Sequence, residues 1–436
     1  TMSSGTTTAA IAKLKQPLED KSHQNIEIYV PRHDLAQEYV ERLQEVNAHI
    51  VHVRPRTGGA DGKLPVLCQR SDYVKSLEQQ GVGVYRNACR SGDGDRCEFY
   101  ESCDYIAQFD DPASVFDNSN IIRVFVHNYL ALRRNPLQDD PSLVIIDESF
   151  FNAMVEVHDL SFRDVREHIC SDRHPDLGDE IIKSLGSGEP LLNTLRGLNV
   201  RLGDLDEINL IPTGTGFDGV RSTALAGLSG GNTQGISQLV RQLKSELRQR
   251  DVSHPQSIFL HANKDGNDVV RVCSRSDLQF DNATPVLMLD ATADAKLIDG
   301  FFDQDVDLKR IDIKQNAIIT QVYDRTGSKA FWEQVSAPTE QLITVLNTWA
   351  DFGEKPLCIG NKSLIERLQA HPNISPKVVF MNFVGLRGSN AAEDCSVVFI
   401  TGRNEPQSIE VDHKARGLFW DDDIPLQHDE FGNNQN

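Results

Sequence analysis

The feature that most constrains the fold is an uninterrupted apolar run that ends in two acids. Residues 143–146 read Leu-Val-Ile-Ile, and Asp147 and Glu148 follow directly. A run without polar alternation is typical of a central strand in a parallel sheet, because such sheets are covered on both faces. The carboxyl ends of parallel strands border the ligand crevice. We therefore expect Asp147 to hold Mg²⁺ and Glu148 to orient an attacking water. The alternative is that the two acids only begin a helix.

Strand-like and helix-like segments alternate at both ends of the chain. Near the start, Ile26, Ile28 and Val30 alternate with other residues before a helical pattern begins. This alternation predicts an α/β fold with two parallel-sheet domains. Residues 57–111 are rich in glycine, charge and cysteine, and residues 155–255 show helical periodicity, so both are expected to be insertions. The expected first domain comprises residues 1–56, 112–154 and 256–304, and the second comprises residues 305–436.

Two shorter segments carry local predictions. Residues 257–275 are expected to form a hairpin with Asp265-Gly266 in its turn. Residues 308–324 have a strand-like composition. The first segment lies within the expected first domain, and the second opens the expected second domain.

Four of the eight cysteines fall within 36 residues: Cys68, Cys89, Cys97 and Cys103. Because the chain shows no secretory signal, we expect a cytoplasmic, reducing location, where clustered cysteines favour a metal over disulfides. The spacings contain no C-x₂₋₄-C knuckle of the kind usual in structural zinc sites. Four thiolates on loops suit an iron–sulfur cluster at least as well. Zinc, ordinary thiols and an opportunistic disulfide remain alternatives.

The opening stretch, residues 2–14, has the small residues of a phosphate-binding loop that runs into a helix. Gly5 and Thr7 fit such a loop, because glycine admits the phosphate and a Ser/Thr hydroxyl can bind Mg²⁺. Thr6 stands where the lysine belongs. The alternative is that these residues form a tail.

Two further segments contain possible nucleotide contacts. Thr292 follows an apolar run in "LDATAD", where a hydroxyl could link a nucleotide to a second domain; the alternative is a helix cap formed by aspartate. Arg387, Gly388 and Asn390 precede another apolar run. An arginine in an interdomain cleft can bind phosphate through two hydrogen bonds. The alternative is a surface arginine beside a turn.

Composition narrows the possible partners. The formal net charge of −20 argues against a protein that simply coats nucleic acid, although a basic groove on an acidic body is still allowed. No apolar run is long enough to span a bilayer, so we expect no membrane partner.

The order of these segments resembles that of the superfamily 2 helicases of the XPD/DinG iron–sulfur group. The resemblance covers most of the chain by motif order, with low residue identity. It implies two RecA-like parallel-sheet domains, a cysteine-rich iron–sulfur-like insertion at 57–111 and a helical arch-like insertion at 155–255. It also implies that residues 305–436 are an incomplete second domain.

The resemblance assigns roles to individual residues. Gly5, Thr6 and Thr7 correspond to the Walker A loop, and Asp147 and Glu148 to the Walker B pair. His127-Asn128 correspond to the segment before Walker B, and Ala291-Thr292 to the Ser-Ala-Thr motif. Motif V corresponds to Arg387, Gly388 and Asn390. The ligands of a [4Fe–4S] cluster correspond to Cys68, Cys89, Cys97 and Cys103.

Two departures from the family leave two functions open. The Walker A lysine is absent, and the final Gln-x-x-Gly-Arg-x-x-Arg motif is missing. Both groups would stabilise charge during phosphoryl transfer. The first hypothesis is an ATP- and Mg²⁺-dependent DNA helicase or translocase that acts on single-stranded or forked DNA. The second is a helicase-like DNA-binding, scaffold or inhibitor protein without ATP turnover, with a protein partner.

Overall fold

The computed structural model describes most of the 436 residues. The described residues are 9, 11–14, 18, 24–59, 62–79, 83–90, 94–109, 120–208, 233–248, 257–310, 317–323, 327–334, 336–386, 392, 394–404 and 406–422.

The described strands and α-helices are numbered in chain order. The strands are β1 (Asn25–Val30), β2 (His49–His52), β3 (Ile121–Val126), β4 (Leu143–Asp147), β5 (Val155–Ser161), β6 (Ile258–Ala262), β7 (Asp268–Arg275), β8 (Val286–Leu289), β9 (Pro356–Gly360), β10 (Val379–Asn382) and β11 (Val397–Thr401). The helices are α1 (His33–Leu43), α2 (Ser71–Gln79), α3 (Asp104–Ala107), α4 (Asn128–Ala131), α5 (Phe151–Met154), α6 (Phe162–His168), α7 (Leu177–Ser187), α8 (Leu191–Gly197), α9 (Leu202–Asp206), α10 (Thr233–Arg248), α11 (Ala295–Asp299), α12 (Lys329–Gln334), α13 (Ser336–Asp351), α14 (Lys362–Gln369) and α15 (Ser408–Leu418).

The first sheet is parallel and has the strand order β2-β3-β1-β4-β8. Its central strands are buried on both faces. Ile26 and Ile28 of β1 pack with Leu35 of α1, and Tyr29 packs on the other face with Phe125. The predicted mixed α/β architecture with a parallel central sheet is therefore confirmed.

The second sheet is antiparallel, with the order β5-β7-β6. The predicted hairpin is present as β6 and β7, and its turn includes Gly266 at φ 77°, a conformation that favours glycine. Leu160, Val270 and Val272 pack in one core with helices α6 to α10, including Leu239. The hairpin therefore packs with the helical region, whereas the sequence pattern had assigned it to the first domain.

Helix α15 lies against the opposite face of this antiparallel sheet. The Arg271 guanidinium binds both carboxylate oxygens of Asp159 at 2.6 Å and reaches Nε2 of His413 at 3.0 Å. The Arg416 guanidinium lies 4.1 Å from the centroid of the Phe259 ring. The antiparallel sheet is thus packed between α6–α10 and a helix from the far end of the chain.

The third sheet is parallel, with the order β10-β9-β11. Helices α13 and α14 cover the face that carries Cys358 and Phe399. The strand-like prediction before this sheet was wrong for the described residues 308–310 and 317–323, which form no strand. Ile318 in this segment is 99% exposed. Strand propensity therefore does not by itself produce a strand where no neighbouring strand pairs with the segment.

Among the helices that the structure describes, none combines the length and the hydropathy needed to cross a bilayer.

Candidate functional site

Asp147 ends strand β4 at the carboxyl edge of the first sheet and is 2% exposed. The hydroxyl of Tyr39, on helix α1, donates a hydrogen bond of 2.7 Å to Asp147 Oδ2. His127 Nε2 lies 2.9 Å from the Asp147 carbonyl oxygen, which can only accept, so Nε2 carries the proton. Two neighbouring elements therefore hold both the side chain and the backbone of Asp147.

Glu148 adopts a backbone conformation that is rare for a residue with a side chain. Its φ is 68°, in the left-handed region, and its N–H donates a hydrogen bond of 2.8 Å to the Leu289 carbonyl of β8. Such a conformation costs roughly 1–3 kcal/mol and persists only where the surroundings hold it. The next strand thus holds the turn after β4.

Asp290 joins this edge from strand β8. The parallel register aligns Asp147 with Leu289, so Asp290 follows β8 where Glu148 follows β4. Oδ1 of Asp290 accepts hydrogen bonds of 2.8 Å from the N–H and the hydroxyl of Thr292, while its Oδ2 is buried without a hydrogen-bond partner among the described residues. The Thr292 hydroxyl therefore helps to form a local turn. Three carboxylates from two adjacent strands meet at this edge.

Arg32 follows strand β1 at the same edge and was missed by sequence reasoning. It pairs with Asp34 at 3.2 Å. Its Nη1 lies 4.0 Å from the position that a Cβ on Gly385 would occupy. Gly385 belongs to the 3₁₀ turn Phe383–Leu386 after β10, so Arg32 lies between the first and third sheets. An arginine directly after the first strand was the available signal.

Several predicted nucleotide contacts lie outside the described residues: Gly5, Thr6, Thr7, Arg387, Gly388 and Asn390. The segment that follows the first three is helical at residues 11–14, and Ile11, Leu14 and Leu18 are buried in the core with α1. This part of the opening stretch is therefore packed against the first sheet and is not an exposed tail.

The four clustered cysteines meet in one region beside the first sheet, and all are free thiols. The Cys89 thiol interacts electrostatically with those of Cys68, Cys97 and Cys103. The Cys97 N–H also donates to the Cys89 carbonyl at 3.0 Å. Burial raises the pKa of the Cys89 thiol to about 11 and also raises the pKa of Cys68. The thiols of Cys68 and Cys89 therefore hold their protons unless a metal displaces them.

Whether this region fits a metal centre depends on how closely the four thiols approach one another and on the charge beside them. Within the described parts of the chain, no three His, Cys, Asp or Glu side chains already stand in the arrangement of metal ligands. The thiols nonetheless share one neighbourhood with a buried cation, Arg56, which is 8% exposed. Its Nε is buried and has no hydrogen-bond partner. Four soft donors beside an uncompensated positive charge fit an anionic metal–thiolate centre.

The aromatic residues around the cysteines are largely enclosed. Tyr100 and Tyr105 are 8% and 9% exposed, and the Arg56 guanidinium lies 3.7 Å from the centroid of the Tyr105 ring. Neither ring presents an open face to a nucleic-acid base. Both belong to the packing that surrounds the thiols.

A cavity of about 400 Å³ borders the exposed side of β2. His52 and Arg54 line it, together with Gln37 of α1 and Gln108 after α3. His33 Nδ1 lies 3.0 Å from His52 Nε2. Burial, followed by the charges of His33 and Arg54, lowers the pKa of His52 to about 4, so His52 is neutral near pH 7.

Comparison with known proteins gives little beyond this geometry. No protein-family model matches the chain, and no curated protein matches it. An XPD helicase is similar among solved structures, with 11% identity and a TM-score of 0.40 over 98% of this chain and 84% of that one. A likeness at this level assigns neither an activity nor a ligand.

Proposed function

We propose that this chain is part of an ATP-dependent DNA helicase or translocase of the iron–sulfur type. The observation that carries the proposal is the set of carboxylates at the carboxyl edge of the first parallel sheet: Asp147, Glu148 and Asp290. Open parallel sheets bind their ligands at this edge. The motif order described above supports the same reading.

Each group at this edge has a role in the proposal. Asp147 would hold Mg²⁺, directly or through water, and Tyr39 and His127 keep it in place. Glu148 would orient the attacking water. Magnesium would neutralise charge on the phosphates of ATP. Asp290 adds negative charge beside the metal position.

The remaining nucleotide contacts come from the resemblance. Gly5, Thr6 and Thr7 would form the phosphate loop, and the packing of Ile11, Leu14 and Leu18 supports a loop that leads into the first domain. Thr292 would contact the nucleotide from β8. Arg387, Gly388 and Asn390 would approach it from the second domain, and the position of Arg32 near Gly385 supports a shared cleft.

The four cysteines would hold a [4Fe–4S] cluster, with zinc as the alternative metal. Their convergence and the buried Arg56 support a four-thiolate centre. A cluster in this family would stand where the strands of a DNA fork separate. Single-stranded DNA would cross the two parallel-sheet domains through phosphate contacts and base stacking.

One observation favours a second function, a helicase-like binding protein without ATP turnover. Thr6 replaces the lysine that would contact the β- and γ-phosphates. A neutral hydroxyl cannot supply that charge. The net charge of −20 also suits a scaffold or inhibitor that binds a basic protein partner.

DNA-stimulated ATP hydrolysis separates the two functions. In the enzyme, Glu148→Gln should lower the rate by at least ~100-fold while ATP and DNA binding persist, because only water activation is lost. Glu366→Gln, at an exposed carboxylate on α14, is the matched control and should keep the wild-type rate. A wild-type protein that binds single-stranded DNA but hydrolyses no ATP would establish the second function instead.

A further inference from the structure

Arg56 is a buried cation without a conventional partner. Its side chain is 8% exposed, and among the described residues no carboxylate lies within ion-pair distance of it. In the described part of the chain, its Nε is fully buried and has no hydrogen-bond partner. Charged side chains are almost never buried unless they are paired. An isolated guanidinium at this position therefore implies a negative partner.

The backbone of Arg56 ties it to the first cysteine of the cluster. The Arg56 carbonyl accepts hydrogen bonds from the N–H groups of Leu67 and Cys68, at 3.1 and 3.0 Å. The guanidinium stacks on Tyr105, whose ring packs with Cys89 and Cys103 in the same core. The charge of Arg56 acts on both Cys68 and Cys89. The cation is thus held against the thiols from both its backbone and its side chain.

A four-thiolate metal centre supplies the missing charge. Four thiolates around Zn²⁺, or around a cluster core of charge +2, leave a net charge of about −2. Burial strengthens the attraction between such a centre and a nearby cation, because the interior has a low dielectric constant. Glu78 also interacts electrostatically with Arg56 at longer range, from the exposed side of α2.

We propose that Arg56 is the buried counter-cation of the metal–thiolate centre, and that it sets the metal affinity and the reduction potential of that centre. The inference rests on the proposed four-cysteine site and adds a positioning residue that is not itself a ligand. It predicts opposite effects with and without metal. Removing Arg56 should weaken the metal centre but relieve the metal-free protein of an unpaired buried charge.

The test uses the full chain, purified anaerobically and loaded with ferrous iron and sulfide. The wild type should be brown, and Cys97→Ser should lose the visible absorbance, whereas Cys170→Ser should keep it. In Arg56→Gln, the ratio of reduced to oxidised cluster at a fixed potential should fall about tenfold, which corresponds to about 59 mV for one electron. Arg56→Lys should lie close to wild type, since it retains the charge.

Arg54→Gln is the matched control. Arg54 lies two residues away and also has a buried Nε without a partner, but it lines the cavity beside β2. The reduction potential of the cluster in Arg54→Gln should equal that in the wild type. If the protein binds zinc instead, competition with a chromophoric chelator should show about tenfold weaker zinc binding in Arg56→Gln. Zinc binding by Arg54→Gln should be unchanged.

The metal-free state provides the second readout. After metal removal, Arg56→Met should melt at the wild-type temperature or above it, although it binds metal more weakly. If Arg56 had a purely structural role, the substitution would lower both the melting temperature and the metal affinity. If loaded Arg56→Gln behaves like Arg54→Gln, the role of Arg56 is overturned and the metal centre stands. If the wild type binds neither iron–sulfur nor zinc through its cysteines, both are overturned.

Discussion

Two largely enclosed arginines, Arg56 at 8% exposure and Arg134 with 15% of its side chain exposed, have contrasting surroundings. Arg134 binds both oxygens of Glu27, at 2.9 and 2.7 Å, inside the first sheet, where the Tyr29 hydroxyl completes the network at 2.7 Å. The Arg56 guanidinium forms no ion pair among the described residues, and its buried Nε has no hydrogen-bond partner there. The first arrangement satisfies its own charges and serves the fold. In the second, the charge of Arg56 is balanced only when an anionic ligand is bound.

The largest effect is expected at the paired arginine. Glu27→Gln should lower the free energy of unfolding by about 3–5 kcal/mol, because the largely enclosed Arg134 would lose its fully buried counter-charge. Chemical denaturation measures this loss. The double variant Glu27→Gln/Arg134→Met should recover part of it, since no unpaired charge then remains. An unchanged midpoint in Glu27→Gln would show that the pair contributes nothing to stability.

A smaller, pH-dependent effect is expected at Glu246, a buried carboxyl on α10 without a cation. Its Oε1 accepts a hydrogen bond of 3.0 Å from the Ser257 hydroxyl, and Oε2 has no partner. Burial raises the pKa of Glu246 from 4.5 to about 7. The folded state therefore keeps its proton between these values while the unfolded state loses it. The contribution of Glu246 to stability is greatest below pH 4.5 and falls as the pH rises through 7.

Glu246→Gln should remove this loss. The variant should gain up to about 3 kcal/mol over wild type at pH 8 and little at pH 4.5, because glutamine stays neutral at both. Denaturation curves at the two pH values measure the difference. Glu207→Gln, at an exposed carboxylate, should show no such pH dependence. Equal gains at both pH values would point to packing rather than ionisation.

The smallest effect is expected at an exposed pair on α6. Arg163 Nε binds Glu167 Oε1 at 2.7 Å, with 81% and 51% of the two side chains exposed. Water and salt screen such pairs, so Arg163→Gln should leave the melting temperature unchanged. Differential scanning calorimetry at low and high salt tests this. A marked loss of stability would show that this exposed pair contributes to stability as a buried pair does, which would contradict the prediction.

Local patterns predicted much of the fold. The Leu-Val-Ile-Ile run located β4 and its two acids, and the Asp-Gly turn located the β6–β7 hairpin. The hairpin's assignment to the first domain did not follow, because its strands pack on Leu160 of β5 about 100 residues earlier in the chain. Strand composition at Ile318 also predicted a strand where the described residues form none. In both cases the outcome depended on whether, and where, the segment finds a neighbouring strand to pair with.

The sequence by itself determined which residues are chemically able to act: Asp147 and Glu148 after an apolar strand, four cysteines within a short segment, and Thr6 in place of a lysine. Only the tertiary structure decided what stands beside them. The parallel register brings Asp290 next to Glu148, and packing encloses Arg56 beside the thiols, with no ion pair among the described residues. The physical reason is that residue type sets charge and donor capacity locally, whereas burial and partners depend on segments that are distant in the chain.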